Sequence, residues 1–443
     1  MLAKIRDGNI LGLAIASYRQ GDMVNAGVLF RLVLEHDPSN AIANHQLGLL
    51  AFAEGDSVSA ATFLQRATIS DPQDPEYQNN LGVVLNALGD HAGARKSFEK
   101  AIAQNGDFAQ AFNNLGAALE AAGEDMASIG AYRRALEIDP GYVEARDNLD
   151  LACARVAPAW HFTMMADVIR NRAYDQALLR AAPGRRVLDI GSGSGLLAMM
   201  AARAGAASVT TCETVPAIAA AARKIIGFNG FADYVTLHTK RSDQLQIGRD
   251  MEVRANLLVT ETFSSSVLSE SVLPTIEHAR EHLLTPDAVV IPRRAAARGY
   301  LVGGAAVEAQ FFASPSVGFD LWNFDVFAPS KIGLHMDRVP HIVLSDDFEI
   351  FAFDLMQSRF PPQRRSLVVS ARRAGRCIGV VQWLRLDLDA DTTYENRPAA
   401  DAGANGWMHV LYRLQEPVEL SVGDEVHLLA SHTRTAMTVG LAR

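Results

Sequence analysis

Residues 187–205, VLDIGSGSGLLAMMAARAG, run from a short apolar strand through a glycine-rich turn into a helix. Asp189 stands at the end of the strand, and Gly191, Gly193 and Gly195 form the turn. Glycines let a backbone approach a ligand closely, and the start of a helix offers free N–H donors. We therefore expect a ligand at this turn.

Strands and helices continue to alternate after the turn. The runs SVTTCE, YVTLHT and ANLLVTE predict strands, and AIAAAARKIIGFNG predicts a helix between the first two. This alternation is typical of a parallel, doubly wound sheet, so we predict a Rossmann-like α/β domain over 158–292. From 293 to 443, short alternating runs such as SLVVSAR and EVHLLASH predict an antiparallel β-barrel or sandwich.

The residues around the turn indicate the kind of ligand. Phosphate-binding turns have the pattern G-x-G-x-x-G, but Leu196 occupies the last glycine position here. Glu213 ends the next strand, and an acid there suits the two hydroxyls of a ribose. A ligand with a ribose and no pyrophosphate fits S-adenosylmethionine, which leaves as S-adenosylhomocysteine. The alternative is a glycine turn with only a structural role.

The first third of the chain is a repeat with a period of 34 residues. Leu-Gly pairs begin at Leu47, Leu81 and Leu115. This period is typical of tetratricopeptide (TPR) repeats, each of which is a pair of helices. We predict an all-α solenoid over 1–157, with four repeats over roughly 7–142 and a capping helix at 143–157. The turn glycines are Gly21, Gly55, Gly89 and Gly123, and small residues recur where helices approach, at Ala26, Ala60, Ala94 and Ser128.

Side-chain amides also recur in the repeats. Asn80, Asn114 and Asn148 occupy one equivalent position on successive first helices. Each amide offers a donor and an acceptor, so the row could pair with the backbone of an extended peptide in the groove of the solenoid. The alternative is that asparagine before Leu-Gly is simply common in TPR sequences.

The net charge of −9 is confined to the repeats. Residues 1–150 hold 11 basic and 20 acidic residues, and the rest of the chain holds 30 of each. An acidic face does not bind phosphates, so we do not expect nucleic acid here. A basic protein or peptide is the expected partner, although the acids could serve only solubility.

Composition sets further limits. A chain of 443 residues, half of them apolar, is expected to form two or three soluble domains, and its longest apolar runs are too short for a membrane span. Cys153, Cys212 and Cys377 are odd in number and lack metal or disulfide spacing. We expect a cytoplasmic protein without a metal.

The region from about 160 to 443 resembles the protein arginine methyltransferases, most closely the branch with TPR repeats in front of the enzyme. WHFTMMADVIRNRAY (160–174) is similar to the family's helix over the cofactor. The resemblance implies that Arg170 pairs with the carboxylate of S-adenosylmethionine. It also implies that His161 and Met164 lie against the cofactor, and Asp243 near its adenine.

Glu261 and Glu270 match the family's double-glutamate loop, with the same separation of nine residues in LVTETFSSSVLSESVLPTIEHAREHLL (258–284). A guanidinium is planar and always charged, so two carboxylates can hold it from two sides. Two carboxylates close together also repel, and a cationic substrate would relieve that repulsion. We expect these two residues to be catalytic. The alternative is that both are solvated loop residues.

One stretch departs from the family. Asn405, Gly406 and Trp407 stand where the family has Thr-His-Trp, whose histidine meets the aspartate that corresponds to Asp167. We therefore expect no side chain from position 406 on Asp167, and an altered substrate pocket beside Trp407. The resemblance also implies a homodimer, formed through an arm near 314–340.

Three functions remain open on these grounds. The first is a protein arginine N-methyltransferase that recruits its substrate through the repeats. The second is a methyltransferase of another nucleophile, such as a peptide natural product or a small amine, which Gly406 favours. The third is a non-catalytic TPR adaptor, which the intact Asp189, Glu213 and Glu261 disfavour.

Overall fold

A computed structural model describes residues 9–313, 316–398 and 407–442. The chain forms two compact units, Met1–Pro158 and Ala159–Arg443. Asn405 and Gly406 lie outside the described residues, as do positions 314 and 315 of the predicted arm. Among the helices that the structure describes, none is both long and apolar enough to cross a membrane.

The described part of the first unit consists of helices, as the period of 34 residues predicts. Four helix pairs, α1–α2, α3–α4, α5–α6 and α7–α8, are followed by a single helix, α9. The helices are α1 Ile10–Arg19, α2 Met23–His36, α3 Ala41–Ala53, α4 Ser57–Ser70, α5 Pro75–Ala87, α6 His91–Gln104, α7 Ala109–Ala121, α8 Asp125–Ile138 and α9 Val143–Val156.

Close packing within each pair explains why the repeat uses small residues. A Cβ added at Gly82 would come within 2.6 Å of the Phe98 ring, and one at Gly116 within 2.5 Å of the Tyr132 ring. The four turn glycines have φ between +76° and +86°, which glycine adopts without strain. The predicted TPR solenoid is confirmed.

The second unit begins with two helices, α10 Trp160–Met165 and α11 Val168–Ala181. The segment 160–174, expected to be one helix, is broken because Asp167 leaves helical geometry at ψ 89° and caps α11. A Rossmann-like sheet follows, with the strand order β3-β2-β1-β4-β5 and all four pairings parallel. Its elements are β1 Arg186–Ile190, α12 Leu196–Arg203, β2 Ser208–Glu213, α13 Pro216–Phe228, β3 Val235–Thr239, β4 Ala255–Thr260, α14 Val272–His282 and β5 Leu284–Ile291.

The last part of the chain forms two antiparallel sheets. One has the order β7-β13-β11-β6-β8, with β12 also paired to β11 and β9 to β6, and the other has the order β10-β14-β15. The strands are β6 Arg294–Gly303, β7 Lys331–Leu334, β8 Ile342–Val343, β9 Phe348–Asp354, β10 Gln363–Ser370, β11 Gly375–Asp387, β12 Thr393–Glu395, β13 His409–Leu420, β14 Glu425–His432 and β15 Met437–Leu441, and a short helix, α15 Ala305–Glu308, follows β6.

One hydrophobic core joins the parallel and antiparallel sheets, from Ala173 on α11 to Val439 on β15. The domain boundary that we predict at 292/293 falls between β5 and β6, and this core continues across it. The antiparallel sheets therefore pack directly on the parallel sheet, close enough to contribute side chains to a site at its edge.

Candidate active site

The site lies where the strand order of the parallel sheet reverses. β1 and β4 are neighbours, and their next strands lie on opposite sides, so the carboxyl ends of β1 and β4 border a crevice in which such sheets bind ligands. Ile190 pairs with Thr260 at this edge, and the Thr260 hydroxyl donates to the Ile190 carbonyl at 2.9 Å. The glycine turn and the double-glutamate loop therefore begin side by side.

Left-handed backbone shapes the glycine turn. Gly191, Gly193 and Gly195 have φ of 87°, 51° and 82°. A Cβ at Gly191 would sit 2.7 Å from the methyl group of Thr262, so the turn has no room for a side chain there. The Gly193 N–H donates to a carboxylate oxygen of Glu213 at 3.1 Å, which ties the turn to the end of β2.

Asp189 is fully buried below this turn. Its Oδ2 accepts a hydrogen bond from the Thr211 hydroxyl at 2.7 Å, while Oδ1 has no hydrogen-bond partner in the described part of the chain. Burial raises the pKa of Asp189 to about 7, against one lowering contact from Thr211.

The two other predicted cofactor acids differ in their surroundings. Glu213 is buried at the end of β2, and its Oε1 accepts the Val215 N–H at 2.9 Å. Asp243 follows β3 in a short 3₁₀ helix, Ser242–Gln244, at the same edge of the sheet. It is half-exposed and paired with Arg241 at 2.8 Å, which lowers the pKa of Asp243.

Helices α10 and α11 bring Arg170 to the same edge. Arg170 is buried, and its Nη1 donates to the Met164 carbonyl at 2.7 Å. The backbone N–H of Arg170 donates to Asp167, the cap of α11, at 2.9 Å. His161 lies on α10 with its ring stacked on Trp160, 3.7 Å between ring centroids.

Glu261 is a buried acid whose negative charge is poorly compensated. Its side chain is only 4% exposed, and its nearest cation is Arg170, with Nη2 at 3.3 Å from Oε2. Oε1 is buried without a partner among the described residues. Burial raises the pKa of Glu261 to about 8, with Glu270, Asp167 and Asp189 adding to the effect and Arg170 opposing it.

Glu270 comes within electrostatic reach of Glu261 and of Glu213, but the residue is exposed. Partial desolvation raises the pKa of Glu270, and the negative charge of Glu213 raises it further. The structure thus places both glutamates at one edge of the sheet, Glu261 inside and Glu270 at the surface.

The loop between the two glutamates is strained and anchored. Val267 is fully buried at φ 69°, and Ser271 has φ 57°, values that cost non-glycine residues on the order of 1–3 kcal/mol each. From the antiparallel sheet, the buried Gln382 donates to the Ser265 carbonyl at 2.9 Å, and the Tyr412 hydroxyl donates to Gln382. The surrounding fold therefore holds a conformation that the loop alone would not keep.

The residues at this edge fit S-adenosylmethionine. Four buried polar atoms here lack partners within the described ranges: Asp189 Oδ1, Ser192 Oγ, Arg170 Nε and Glu261 Oε1. Buried polar groups are normally hydrogen-bonded, so this concentration indicates a place for a polar ligand. Glu213 would accept hydrogen bonds from the ribose hydroxyls, and Arg170 would pair with the carboxylate of the cofactor. No group of three His, Cys, Asp or Glu that could hold a metal ion occurs in the described ranges.

The repeat asparagines bond to one another along the solenoid. Nδ2 of Asn80 contacts His45 at 2.8 Å, that of Asn114 donates to Asn79 at 3.0 Å, and that of Asn148 donates to Asn113 at 3.0 Å. Each bond joins the first helices of successive repeats. Part of the hydrogen-bonding capacity that we assigned to a peptide is therefore used within the array.

Asp167 is satisfied by a residue that the sequence did not indicate. The hydroxyl of Tyr394, on β12, donates to Asp167 Oδ2 at 2.6 Å, where we expected no side chain from position 406. Trp407 is buried, and its indole Nε1 has no hydrogen-bond partner within the described ranges. Sequence reasoning also missed Thr211 and Gln382, because no local pattern distinguishes them from ordinary strand residues.

A doubly wound sheet with this glycine turn and acid pair is typical of methyltransferases that use S-adenosylmethionine. The profile of the ribosomal protein L11 methyltransferase (PrmA) family matches residues 172–269, and that of the tetratricopeptide repeat matches 45–105 and 79–143. An arginine N(omega)-methyltransferase of Streptomyces achromogenes subsp. streptozoticus is 38% identical over 276 residues, 62% of this chain and 76% of that protein. The chain therefore belongs to the arginine N-methyltransferase family.

Other relatives are longer. Protein arginine N-methyltransferase 7 of Drosophila willistoni is 34% identical, over 62% of this chain and 47% of its own length. The chain thus spans about half the length of that relative. Among solved structures, the Trypanosoma brucei PRMT1 enzyme–prozyme complex with AdoHcy has a TM-score of 0.56 at 20% identity, covering 63% of this chain and 92% of that one. Arabidopsis thaliana protein arginine methyltransferase 10 has a TM-score of 0.51 at 18% identity, covering 60% and 86%. These two likenesses confirm the fold of the second unit.

The buried Glu261 should make the ligand-free second unit less stable as the pH rises. Between the ordinary glutamate pKa and about 8, the folded state keeps a proton on Glu261 that the unfolded state has lost, so stability falls through this window. We expect Glu261→Gln to be more stable than the wild type by on the order of 2–4 kcal/mol at pH 8, and similar near pH 4. Urea unfolding followed by tryptophan fluorescence measures this, because all four tryptophans lie after residue 159.

Glu416→Gln, at an exposed position on β13, is the matched control and should leave the pH dependence unchanged. Equal stability of Glu261→Gln and the wild type at both pH values would contradict the prediction.

Proposed function

We propose that this protein transfers methyl groups from S-adenosylmethionine to an arginine guanidinium. The observation that carries the proposal is Glu261 Oε1, a buried carboxylate oxygen without a partner among the described residues, beside the glycine turn. A guanidinium is always charged and offers planar pairs of N–H donors, which suits such an oxygen. Family membership favours arginine over other nucleophiles, and the unpaired polar atoms at the cofactor edge disfavour a non-catalytic adaptor.

The two glutamates would hold the substrate for attack. When bound, S-adenosylmethionine supplies an electrophilic methyl group on its sulfonium. Glu261 from the buried side and Glu270 from the surface would bind two of the guanidinium nitrogens and draw the positive charge toward them, so the third nitrogen keeps electron density for attack. Attack would form an N–CH₃ bond as the sulfonium C–S bond breaks, S-adenosylhomocysteine would leave, and the methylated nitrogen would release one proton to solvent. Orientation of this kind lowers a barrier by roughly 7–11 kcal/mol in the best cases.

Substrate charge also sets the protonation of the site. Since burial raises the pKa of Glu261 to about 8, the empty site holds a proton near neutral pH. A guanidinium beside Oε1 favours the carboxylate and so lowers this pKa. Binding of a cationic substrate therefore ionises Glu261 at the moment when its charge is needed, and a neutral ligand would not.

Label transfer tests the proposal directly. After incubation with methyl-labelled S-adenosylmethionine and arginine-containing proteins, we expect label on arginine side chains by mass spectrometry. Glu261→Gln should reduce turnover at least about a hundredfold and leave cofactor affinity nearly unchanged, because this carboxylate acts on the substrate. Label on another residue type, or full activity in Glu261→Gln, would refute the assignment.

A second candidate is a small arginine-containing molecule. The Streptomyces relative, matched over 76% of its length, is called an arginine N(omega)-methyltransferase without reference to a protein. Free arginine and short peptides belong in the same assay, and a kcat/KM higher for free arginine than for proteins would favour this candidate.

The repeats would recruit a basic substrate. TPR repeats are protein-interaction modules, and the acidic excess of this chain lies in them. Acids also cluster at the start of α5, where burial raises the pKa of Tyr77 and the charges of Asp74, Asp71 and Glu76 raise it further. A basic segment passing this surface would be attracted over about a Debye length.

If the repeats recruit the substrate, their deletion should affect KM for a protein substrate more than KM for a short peptide. Deleting 1–157 should raise KM for a basic protein about tenfold or more, and change KM for a short arginine peptide less than about twofold. In the full-length protein, ~0.5 M NaCl should abolish most of the difference between the two substrates. An equal loss on both substrates, with circular dichroism that shows a folded fragment, would contradict recruitment.

A homodimer is the proposed assembly. Residues 316–327 expose an unusual concentration of apolar side chains, and Phe324 and Phe327 are 70% and 74% exposed. A patch of this kind marks an interaction surface, and a second copy of the chain is the occupant that the resemblance implies. The other exposed apolar residues of the segment are Val317, Phe319, Leu321, Trp322 and Val326.

Phe324→Asp together with Phe327→Asp should therefore yield a monomer in analytical ultracentrifugation. Phe228→Asp, on α13 and 93% exposed, is the matched control and should leave the assembly unchanged. A wild-type protein that sediments as a monomer would refute the dimer.

We also propose that the protein is cytoplasmic. Cys153, Cys212 and Cys377 carry free thiols, as is usual for a reducing compartment.

A further inference from the structure

Tyr394 connects the antiparallel sheet to the cofactor side of the site. It lies on β12, where Tyr394 pairs with Leu386 of β11, and it is only 3% exposed. Its hydroxyl donates to Asp167 Oδ2 at 2.6 Å across 227 residues of sequence. Burial and the Asp167 carboxylate both raise the pKa of Tyr394, so the hydroxyl keeps its proton and remains a donor.

The other carboxylate oxygen of Asp167, Oδ1, bonds to helix α11. Oδ1 accepts the backbone N–H of Arg170 at 2.9 Å and so caps the first turn of α11. The two oxygens of one buried carboxylate thus join β12 to the start of α11. A hydrogen bond to a buried charged group is among the strongest that proteins make.

Arg170 continues the chain of contacts. Its side chain donates to the Met164 carbonyl at 2.7 Å and lies 3.3 Å from Glu261 Oε2. Its Nε is a buried donor without a partner in the described part of the chain. The position of the Arg170 guanidinium therefore depends on where α11 begins, and Asp167 fixes that point.

We propose that Tyr394 is a positioning residue, which acts through Asp167 to hold Arg170 in place for the cofactor and, through Arg170, to hold Glu261. Tyr394 touches neither Glu261 nor Arg170 by a hydrogen bond, so its effect must pass through Asp167. Without the phenol, Asp167 Oδ2 would be a buried carboxylate oxygen short of a donor, and the start of α11 would be free to shift toward water.

This inference rests on the proposed function for its catalytic part, but not for its binding part. Affinity for S-adenosylhomocysteine, measured by calorimetry, reports the placement of Arg170 without any turnover. The inference and the methyl-transfer assignment can therefore fail separately. The absence of label on arginine would refute the assignment, whereas the affinities of the variants for S-adenosylhomocysteine decide the role of Tyr394.

A double-mutant cycle tests whether Tyr394 acts through Asp167. Tyr394→Phe removes one oxygen and keeps the packed ring, and Asp167→Ser keeps a side chain that caps helices well but has no second polar atom for the phenol. We expect each single variant to weaken S-adenosylhomocysteine binding about ten- to a hundredfold, the range for a hydrogen bond to a buried charge. The double variant should be no weaker than the weaker of the two singles.

Kinetics supply the second readout. In Tyr394→Phe we expect KM for S-adenosylmethionine to rise with the dissociation constant, and kcat to fall because Glu261 shares the displaced Arg170. A merely structural role would lower the melting temperature and the active fraction, and would leave KM and affinity per folded molecule unchanged.

Tyr300→Phe is the matched control. The Tyr300 hydroxyl is also buried in the antiparallel sheets and contacts His341 at 2.9 Å, apart from the residues of the active site. This variant should keep wild-type affinity and kinetics.

Three results would overturn the proposal: wild-type affinity in Tyr394→Phe, effects that multiply in the double variant, or wild-type affinity in Asp167→Ser. The last result decides the matter even if Tyr394→Phe fails to fold.

Discussion

The contact between Glu261 and Arg170 is the interaction on which the site depends. A carboxylate is buried at the carboxyl edge of the parallel sheet with one cation, 3.3 Å away, and one oxygen unpaired among the described residues. Burying a charge is costly unless it is paired, so this arrangement stores free energy that a cationic ligand can release. Arg170 only partly offsets the cost, which leaves Glu261 protonated near neutral pH, and in the proposed function a bound guanidinium would favour its ionised form. The buried carboxyl group therefore lowers the folding stability of the ligand-free protein and would favour binding of a cationic substrate.

The parallel sheet alone does not build this site. Its glycine turn and the acids Asp189 and Glu213 are the proposed cofactor residues, but the double-glutamate loop would not hold its conformation by itself. Val267 sits in a left-handed backbone conformation, and Gln382 of the antiparallel sheet bonds to the loop at Ser265. One hydrophobic core runs through both kinds of sheet, and it provides the packing that offsets this strain.

The two units differ in their charge and in the kind of interaction they can make. The first unit is an acidic array in which glycines and small residues allow close helix packing, and bonds between repeat asparagines join α5 to α7 and α7 to α9. The second unit is nearly neutral, with 29 basic and 30 acidic residues, and contains the candidate active site. In the proposed function, long-range attraction selects a basic partner, while short-range geometry at Glu261 selects the nitrogen to be methylated.

Patterns of short range could be predicted from the sequence, because their physical cause lies within a few residues. The 34-residue period, the glycine turn after β1 and the alternating strands required no knowledge of the distant chain, and the fold followed from them. Contacts between distant segments could not be predicted. The bonds of Tyr394 to Asp167 and of Gln382 to Ser265 span 227 and 117 residues, and neither leaves a local pattern. The same holds for the depth of the two glutamates. They lie nine residues apart in one neutral loop and look alike in the sequence, and only the tertiary structure buries Glu261 beside Arg170 and leaves Glu270 at the surface.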